Sequence, residues 1–493
     1  MDFFDRIDES DRLRCFLALK EGALACLYGR RRIGKSRLLE EVLKGRTDVM
    51  LHQADRSEAS LQRVQLAKDL SAVLPGFGDV MYSDWGTLFD RWRREAPVGS
   101  VLVIDELPYL VERAPELPSV LQRVADGLRT SGQKLFICGS FQKMMQGLLL
   151  SSDEPLYGRA RELVNLRPIS FEWTKCAFPA LSLWERFEHY AVWGGVPRYW
   201  EVCQGETDLW ETLRRQVFSP QGLFRDEPDF ILHEDLKDAV QATSVLSLVG
   251  QGAERPSEIA ARLQVPVTSL GRPLRRLMEL GLVCRDIPFG CDEKSNKRTL
   301  YRVTDPFLRF WYSFALPNYS DPYYLSSPEE VAAIRGPFRV FLGQAWEMLV
   351  RETLRQRAIP GVPGRWRKVA RWWGNGLDRQ PMEIDVVAES LDGRTLLVGE
   401  AKLSLSAREA GRVLAELKSK AANLPFAKDY GKVIARLFVA EGGVADAVSL
   451  AWLDGGTEGN CVARNTGLRH NRPLPRVSGA ASPAYRTTAV NLR

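Results

Sequence analysis

With 493 residues, 45% of them hydrophobic and 26% charged, the chain is too long for one ordinary core and calls for two to four domains of a soluble globular protein. No apolar run approaches the length of a bilayer crossing, and Met1-Asp2-Phe3-Phe4-Asp5-Arg6 lacks the basic start and apolar stretch of a secretory leader, so a cytoplasmic protein without a membrane partner is expected. The eight cysteines form no CxxC pair and the four histidines no zinc spacing, which predicts reduced thiols and oxygen ligands for any metal; a net charge of +6 singles out no partner.

Residues 23 to 28 read as a short apolar strand, followed by Gly29-Arg30-Arg31-Arg32-Ile33-Gly34-Lys35-Ser36 and a helical run from Arg37 to Leu43. Strand, GxxxxGKS loop and helix in that order are the context in which such a loop holds phosphates. Gly29 and Gly34 leave backbone amides free to curl around phosphate oxygens at a helix N-terminus. Lys35 would reach the β and γ phosphates, and Ser36 would place its hydroxyl on magnesium. The expected ligands are ATP and Mg2+, contacted by Gly29, Arg30, Arg31, Arg32, Ile33, Gly34, Lys35, Ser36 and Arg37.

Val49 to Gln53 predicts a second strand. Val101-Leu102-Val103-Ile104-Asp105-Glu106 predicts a third, of the buried parallel type, ending in two acids. On this reading the acidic pair lies on the strand neighbouring the loop; Asp105 holds magnesium and Glu106 orients or deprotonates the attacking water. Lys134 to Cys138, followed by Gly139-Ser140, adds a further strand whose end joins the site.

A strand inserted between the two motifs, a glutamate after the magnesium aspartate and a polar residue at the end of the next strand resemble the additional-strand class of P-loop ATPases, to which the AAA+ and STAND proteins belong. Gly29 to Ser36, Ile104-Asp105-Glu106-Leu107-Pro108-Tyr109-Leu110, Cys138-Gly139-Ser140, Pro155-Leu156-Tyr157-Gly158-Arg159 and Trp193-Gly194-Gly195-Val196-Pro197-Arg198-Tyr199 together resemble the archaeal ATPase family, which also occurs in bacteria. The resemblance implies that Ser140 senses the γ-phosphate and that Arg159, or Arg161, reads or neutralises the charge of the transferred phosphate.

After a helical stretch ending near Gly250, residues 256 to 265 predict a short helix with Ser257 as its N-cap, and residues 267 to 283 a second helix stopped by Gly281. Leu270, Leu274, Leu277 and Leu280 share one face, and Arg272, Arg275 and Arg276 project elsewhere; Pro273 interrupts the pattern. A hairpin follows, with the basic loop Lys294 to Arg298 at its tip. The spacing resembles a winged helix, whose second helix would meet DNA phosphates in a major groove.

Met382 to Ala388, a turn at Asp392-Gly393, and Thr395 to Leu403 alternate as a β-hairpin. Strand alternation puts Glu400 and Lys402 on one face, and antiparallel pairing brings Asp385 beside them. Two carboxylates able to hold magnesium and an amine able to stabilise phosphorane charge suit phosphodiester hydrolysis. The pattern resembles the PD-(D/E)xK nucleases, with Ile384 in place of the proline; Glu347, on a helix from Phe341 to Leu354, matches the upstream acid that this resemblance implies. Basic and aromatic residues interleave from Arg351 to Trp373, a composition suited to phosphate contact and base stacking, with packing the expected role of the tryptophans. From Gly455 on, the Gly, Ser, Ala, Pro and Arg content predicts disorder.

The expected fold class is therefore α/β: a P-loop parallel-sheet ATPase domain with a helical lid over residues 1–230, a winged helix over 235–320, a small α/β nuclease-like domain over 335–455 and a disordered tail over 456–493. The expected function is ATP binding and magnesium-dependent hydrolysis of AAA type, coupled to a DNA-binding winged helix and a nuclease-like domain. Catalytic assignments fall on Lys35, Glu106, Asp385, Glu400 and Lys402, and metal ligation on Ser36, Asp105, Asp385 and Glu400. Partners are ATP and DNA, and a homo-oligomer fits the class. The alternative is a nucleotide-dependent regulator or scaffold whose nuclease-like domain is inactive.

Overall fold

The computed structural model describes residues 3–205, 208–236, 240–292, 298–321, 324, 327–362 and 364–455. The loop Lys294 to Lys297 and the tail 456–493 lie outside the described residues. Five strands, β1 (Ala23–Tyr28), β2 (Val49–Gln53), β3 (Val101–Asp105), β4 (Lys134–Gly139) and β5 (Ala160–Asn165), form an all-parallel sheet in the order β2-β3-β4-β1-β5. Helices cover both faces, so β3 and β4 are buried along their whole length and read as unbroken apolar runs. Alternate residues serve two cores: Val101, Val103 and Phe136 face one, Leu102, Ile104, Leu135 and Ile137 the other. The acidic strand β3 is not the neighbour of β1. β4 lies between them and pairs with both.

Further on, helix Pro197–Cys203 lies at the loop end of this sheet, preceded by helix Leu183–Trp193. Helix Pro256–Leu263 starts with Arg255 at the cap and Pro256 in the first turn, not with Ser257 as cap, because proline lacks only an amide that would have no partner there. The expected helix 267–283 divides into a 3-10 turn, Val267–Leu270, and a helix, Gly271–Glu279. Pro273 explains the division: it is tolerated in a first turn and excluded from an interior. Leu270, Leu274, Leu277 and Leu280 are buried as expected, and Gly281 ends the helix at φ 67°. β6 (Val283–Asp286) and β7 (Leu300–Val303) then pair antiparallel.

A helix from Pro328 to Gln356 opens the C-terminal sheet, starting before the expected boundary at 335, with Ser327 and Glu330 forming a reciprocal cap. β8 (Trp366–Asn375), β9 (Pro381–Ser390) and β10 (Thr395–Ser404) make an antiparallel meander. Helix Ala407–Ala422 crosses over to β11 (Lys432–Glu441), parallel to β10, and β12 (Val448–Ser449) completes the order β12-β11-β10-β9-β8. The β6–β7 hairpin is packed on this sheet. Phe289 donates its amide to the Arg371 carbonyl at 3.0 Å and buries its ring 5.4 Å from Phe426, while Arg371 pairs with Glu254 at 3.2 Å and Asp286 at 3.5 Å. None of the described helices is long and apolar enough to cross a membrane. Cys15, Cys26, Cys138, Cys203, Cys284 and Cys291 carry unoxidised thiols.

Candidate functional site

The loop after β1 closes over a cavity of about 330 Å³ lined by Ile33, Gly34, Lys35, Ser36 and Glu106, among others. Gly34 holds φ 94°, a conformation side chains resist, and it starts the helix Lys35–Leu43 whose amides face the cavity end. Gly29 is required for another reason: a Cβ there would stand 2.8 Å from the Leu166 carbonyl oxygen. The Lys35 ammonium donates to the carbonyls of Gly29 at 3.2 Å and Arg30 at 3.4 Å. Across β4, the Ser36 hydroxyl donates to Asp105 Oδ2 at 2.7 Å, and Asp105 Oδ1 accepts from the Glu106 amide at 3.0 Å. Two hard oxygen donors facing each other beside an ammonium fit a magnesium ion carrying phosphates.

Glu106 has φ 54°, and its carboxylate accepts from both the amide and the hydroxyl of Ser140 at 2.9 Å. The end of β4 thus meets the acid that follows β3.

The arginines divide. Arg31, Arg32 and Arg37 line the cavity, but the Arg30 side chain, expected at the nucleotide, turns away to pair with Asp305 and to donate to the Tyr199 hydroxyl at 2.8 Å. The guanidinium of Arg32, at φ 67°, pairs with buried Glu227 at 2.7 Å. Burial raises the Glu227 carboxyl above the ordinary range, against the pull of Arg32. Neither Arg159 nor Arg161 lines the cavity: Arg159 donates to Asp126 at 2.9 Å and to the Tyr157 carbonyl at 3.3 Å, because β5 lies at the sheet edge beyond β1. Arg198, at the start of helix Pro197–Cys203, lines the cavity.

In the C-terminal sheet the pairing Val386 to Gly399 sets Asp385 beside Glu400. Asp385 Oδ2 accepts from the Ala401 amide at 2.9 Å; Lys402 Nζ stands 2.7 Å from Glu400 and 3.7 Å from Asp385. Burial opposes the charge of Lys402, but Asp385 and Glu400 outweigh it and raise the ammonium above its ordinary value. Glu347 projects from helix Pro328–Gln356, where burial, reinforced by Asp385, pushes its carboxyl up to about 7. Arg351, expected to contact phosphates, is buried and donates to the Asp385 carbonyl at 2.8 Å, 3.5 Å from Glu347. Of the tryptophans in this stretch, Trp366 and Trp372 are packed in the cores. Among the described residues, no three His, Cys, Asp or Glu side chains converge as a ready metal cluster.

Residues 311–413 match a family model described as archaea bacterial proteins of unknown function, DUF234. An uncharacterized protein of Methanocaldococcus jannaschii is 26% identical over 444 residues, covering 88% of this chain and 95% of the relative. Among solved structures, a Walker-type ATPase of Pyrococcus abyssi aligns with TM-score 0.48 and 20% identity over 63% of this chain and 96% of that one. The ORC2 protein of Aeropyrum pernix aligns with TM-score 0.42 and 12% identity over 64% and 94%. The sheet itself, with β4 between the loop strand and the acidic strand, has the order of the additional-strand class.

Five cavity residues escaped the motif reading: Phe3, Phe4, Arg6, Ile169 and Glu201. Phe4 stacks on Trp173 and Trp200 at 6.0 and 6.1 Å, and Arg6 donates to the Ile33 carbonyl at 3.2 Å. Asp5 and Arg6 both take positive φ, 64° and 62°, and burial pushes the Asp5 carboxyl up to about 6. The available signal was an aromatic pair ahead of the first helix with no periodic partner. Lys420, 3.6 Å from Glu400, was also missed, because it comes from a helix whose face no spacing rule assigns.

Proposed function

We propose that the chain binds ATP with magnesium in the Gly29–Arg37 loop, hydrolyses it, and uses the cycle to move a winged helix and a nuclease-like domain on DNA. The observation that carries the reading is the 2.7 Å contact between the Ser36 hydroxyl and Asp105 beside Lys35 at one cavity. Lys35 exchanges its carbonyl partners for β and γ phosphate oxygens, and Ser36 and Asp105 hold the cation. Magnesium bound there neutralises phosphate charge and aligns the reacting oxygens. Glu106 leaves Ser140, orients a water and takes its proton as the water oxygen bonds to the γ-phosphorus. The bridging P–O bond breaks to give ADP and phosphate, with Ser140 free to contact the γ-phosphate. Exposed Arg272 and Arg275 on helix Gly271–Glu279 support DNA phosphate contact from that helix.

Two variants test the ATPase. Lys35→Ala is expected to lose binding of a fluorescent ATP analogue, and Glu106→Gln to bind it normally while turnover falls by roughly 100-fold or more, the range for a lost general base. Wild-type turnover by Glu106→Gln removes its role.

A second reading, a nucleotide-dependent regulator or scaffold with an inert C-terminal domain, is favoured by one observation: Glu400 is already paired with both Lys402 and Lys420, at 2.7 and 3.6 Å.

A further inference from the structure

The Arg30 guanidinium and the Asp305 carboxylate are 275 positions apart in sequence, yet they form an ion pair in which the side chains are only 15% and 10% exposed. Arg30 also donates to Tyr199, whose hydroxyl donates to Glu227, and Glu227 in turn holds Arg32. Arg30 and Arg32 are therefore tied into one buried network with Tyr199 of helix Pro197–Cys203, and Arg30 extends it past β7. A buried charge whose partner is removed is costly, so this geometry resists change at either end.

Asp305 has a second role at its other oxygen. Oδ1 accepts from the Leu308 amide at 2.9 Å, capping the helix Pro306–Phe310 that directly follows β7. Pro306 stands 3.1 Å from where a Cβ on Gly194 would lie, and Phe307 stacks on Trp193 with centroids 5.5 Å apart. The start of this helix is thus keyed to both the loop and the lid. The residue whose side chain grips Asp305 also lends its backbone carbonyl to Lys35. A phosphate that draws Lys35 away from that carbonyl changes the backbone of a residue whose side chain is clamped.

We propose that Asp305 is a positioning residue for the phosphate loop, and that the Arg30–Asp305 pair transmits nucleotide occupancy to the β6–β7 hairpin and helix Pro306–Phe310. The inference rests on the reading that the loop binds ATP. It makes coupling reciprocal: whatever displaces the hairpin alters nucleotide affinity by the same factor.

The test uses the full chain, a fluorescent ATP analogue and amide hydrogen exchange over residues 298–315. In wild type, nucleotide is expected to change exchange there by at least about fivefold, the lower range of coupling between sites. Asp305→Asn keeps a capping oxygen but loses the charge, and Asp305→Ser keeps a capping oxygen on a side chain too short to hold Arg30. Both are expected to bind the analogue while the nucleotide-dependent change disappears. Should Asp305→Asn not fold, Asp305→Ser alone is decisive. A change of wild-type size in a folded variant overturns the proposal, as does its absence in wild type that demonstrably binds nucleotide. Failure of wild type to bind at all would instead remove the ATP reading, and this inference with it.

Discussion

Glu347 carries its carboxyl into a poorly solvated place beside Asp385, and both burial and the neighbouring charge favour its protonated form. The folded chain therefore keeps a proton that the unfolded chain releases near 4.5, until the pH reaches about 7. The contribution is intact below that window, is lost as pH rises through it, and is constant above. Glu347→Gln removes the titration. Its melting temperature relative to wild type is accordingly expected to rise between pH 4.5 and 7 and then to level off. Parallel melting curves across that range would remove the assignment. At the same scale, Lys35, Ser36, Asp105 and Glu106 were legible because phosphate chemistry fixes residue types at fixed spacing, and the structure brings them together. Arg30 was not. A loop arginine beside a phosphate site reads as a phosphate ligand, and nothing local announces an acid 275 positions away.

Among the elements, the hairpin β6–β7 is tied to the C-terminal sheet at one residue. Phe289, just beyond β6, is 5% exposed in a core shared with Trp372 and Ile384 of that sheet. Phe289→Ala is expected to destabilise the chain by about 3 kcal/mol or more, the cost of deleting a buried aromatic. It should also raise amide exchange in residues 283–303 above that of the parallel sheet. Urea unfolding and exchange mapping check both; an unchanged midpoint would mean that the hairpin is not anchored there. Periodicity revealed the helices around Leu274 and Leu277 because one face is buried, and it revealed the hairpin of β9 and β10 because alternation marks a half-buried strand. It could not reveal what the faces pack against, since several partners satisfy one apolar stripe equally well.

For the molecule as a whole, the question is whether the trio Asp385, Glu400 and Lys402 cuts DNA. The amine stands 2.7 Å from one acid and 3.7 Å from the other, so the three groups that hydrolysis needs are within reach of one phosphate. Asp385→Ala and Lys402→Ala are each expected to lower magnesium-dependent cleavage of plasmid DNA by roughly 100-fold or more, comparable to loss of a general acid or base. Equal cutting by wild type and both variants, with and without ATP, would leave the scaffold reading standing.

The central position of β4 has a mechanical consequence. Lys35, after β1, and Glu106, after β3, reach one cavity from opposite flanks of a single backbone, so the width of that backbone sets the distance between them. Gly139 keeps the passage narrow: a Cβ there would collide with Met145 at 2.7 Å and Pro108 at 2.8 Å, wedging the helix after Glu106 outward. One hydrogen atom in place of a methyl group lets the helices that carry Pro108 and Met145 meet over the end of that strand.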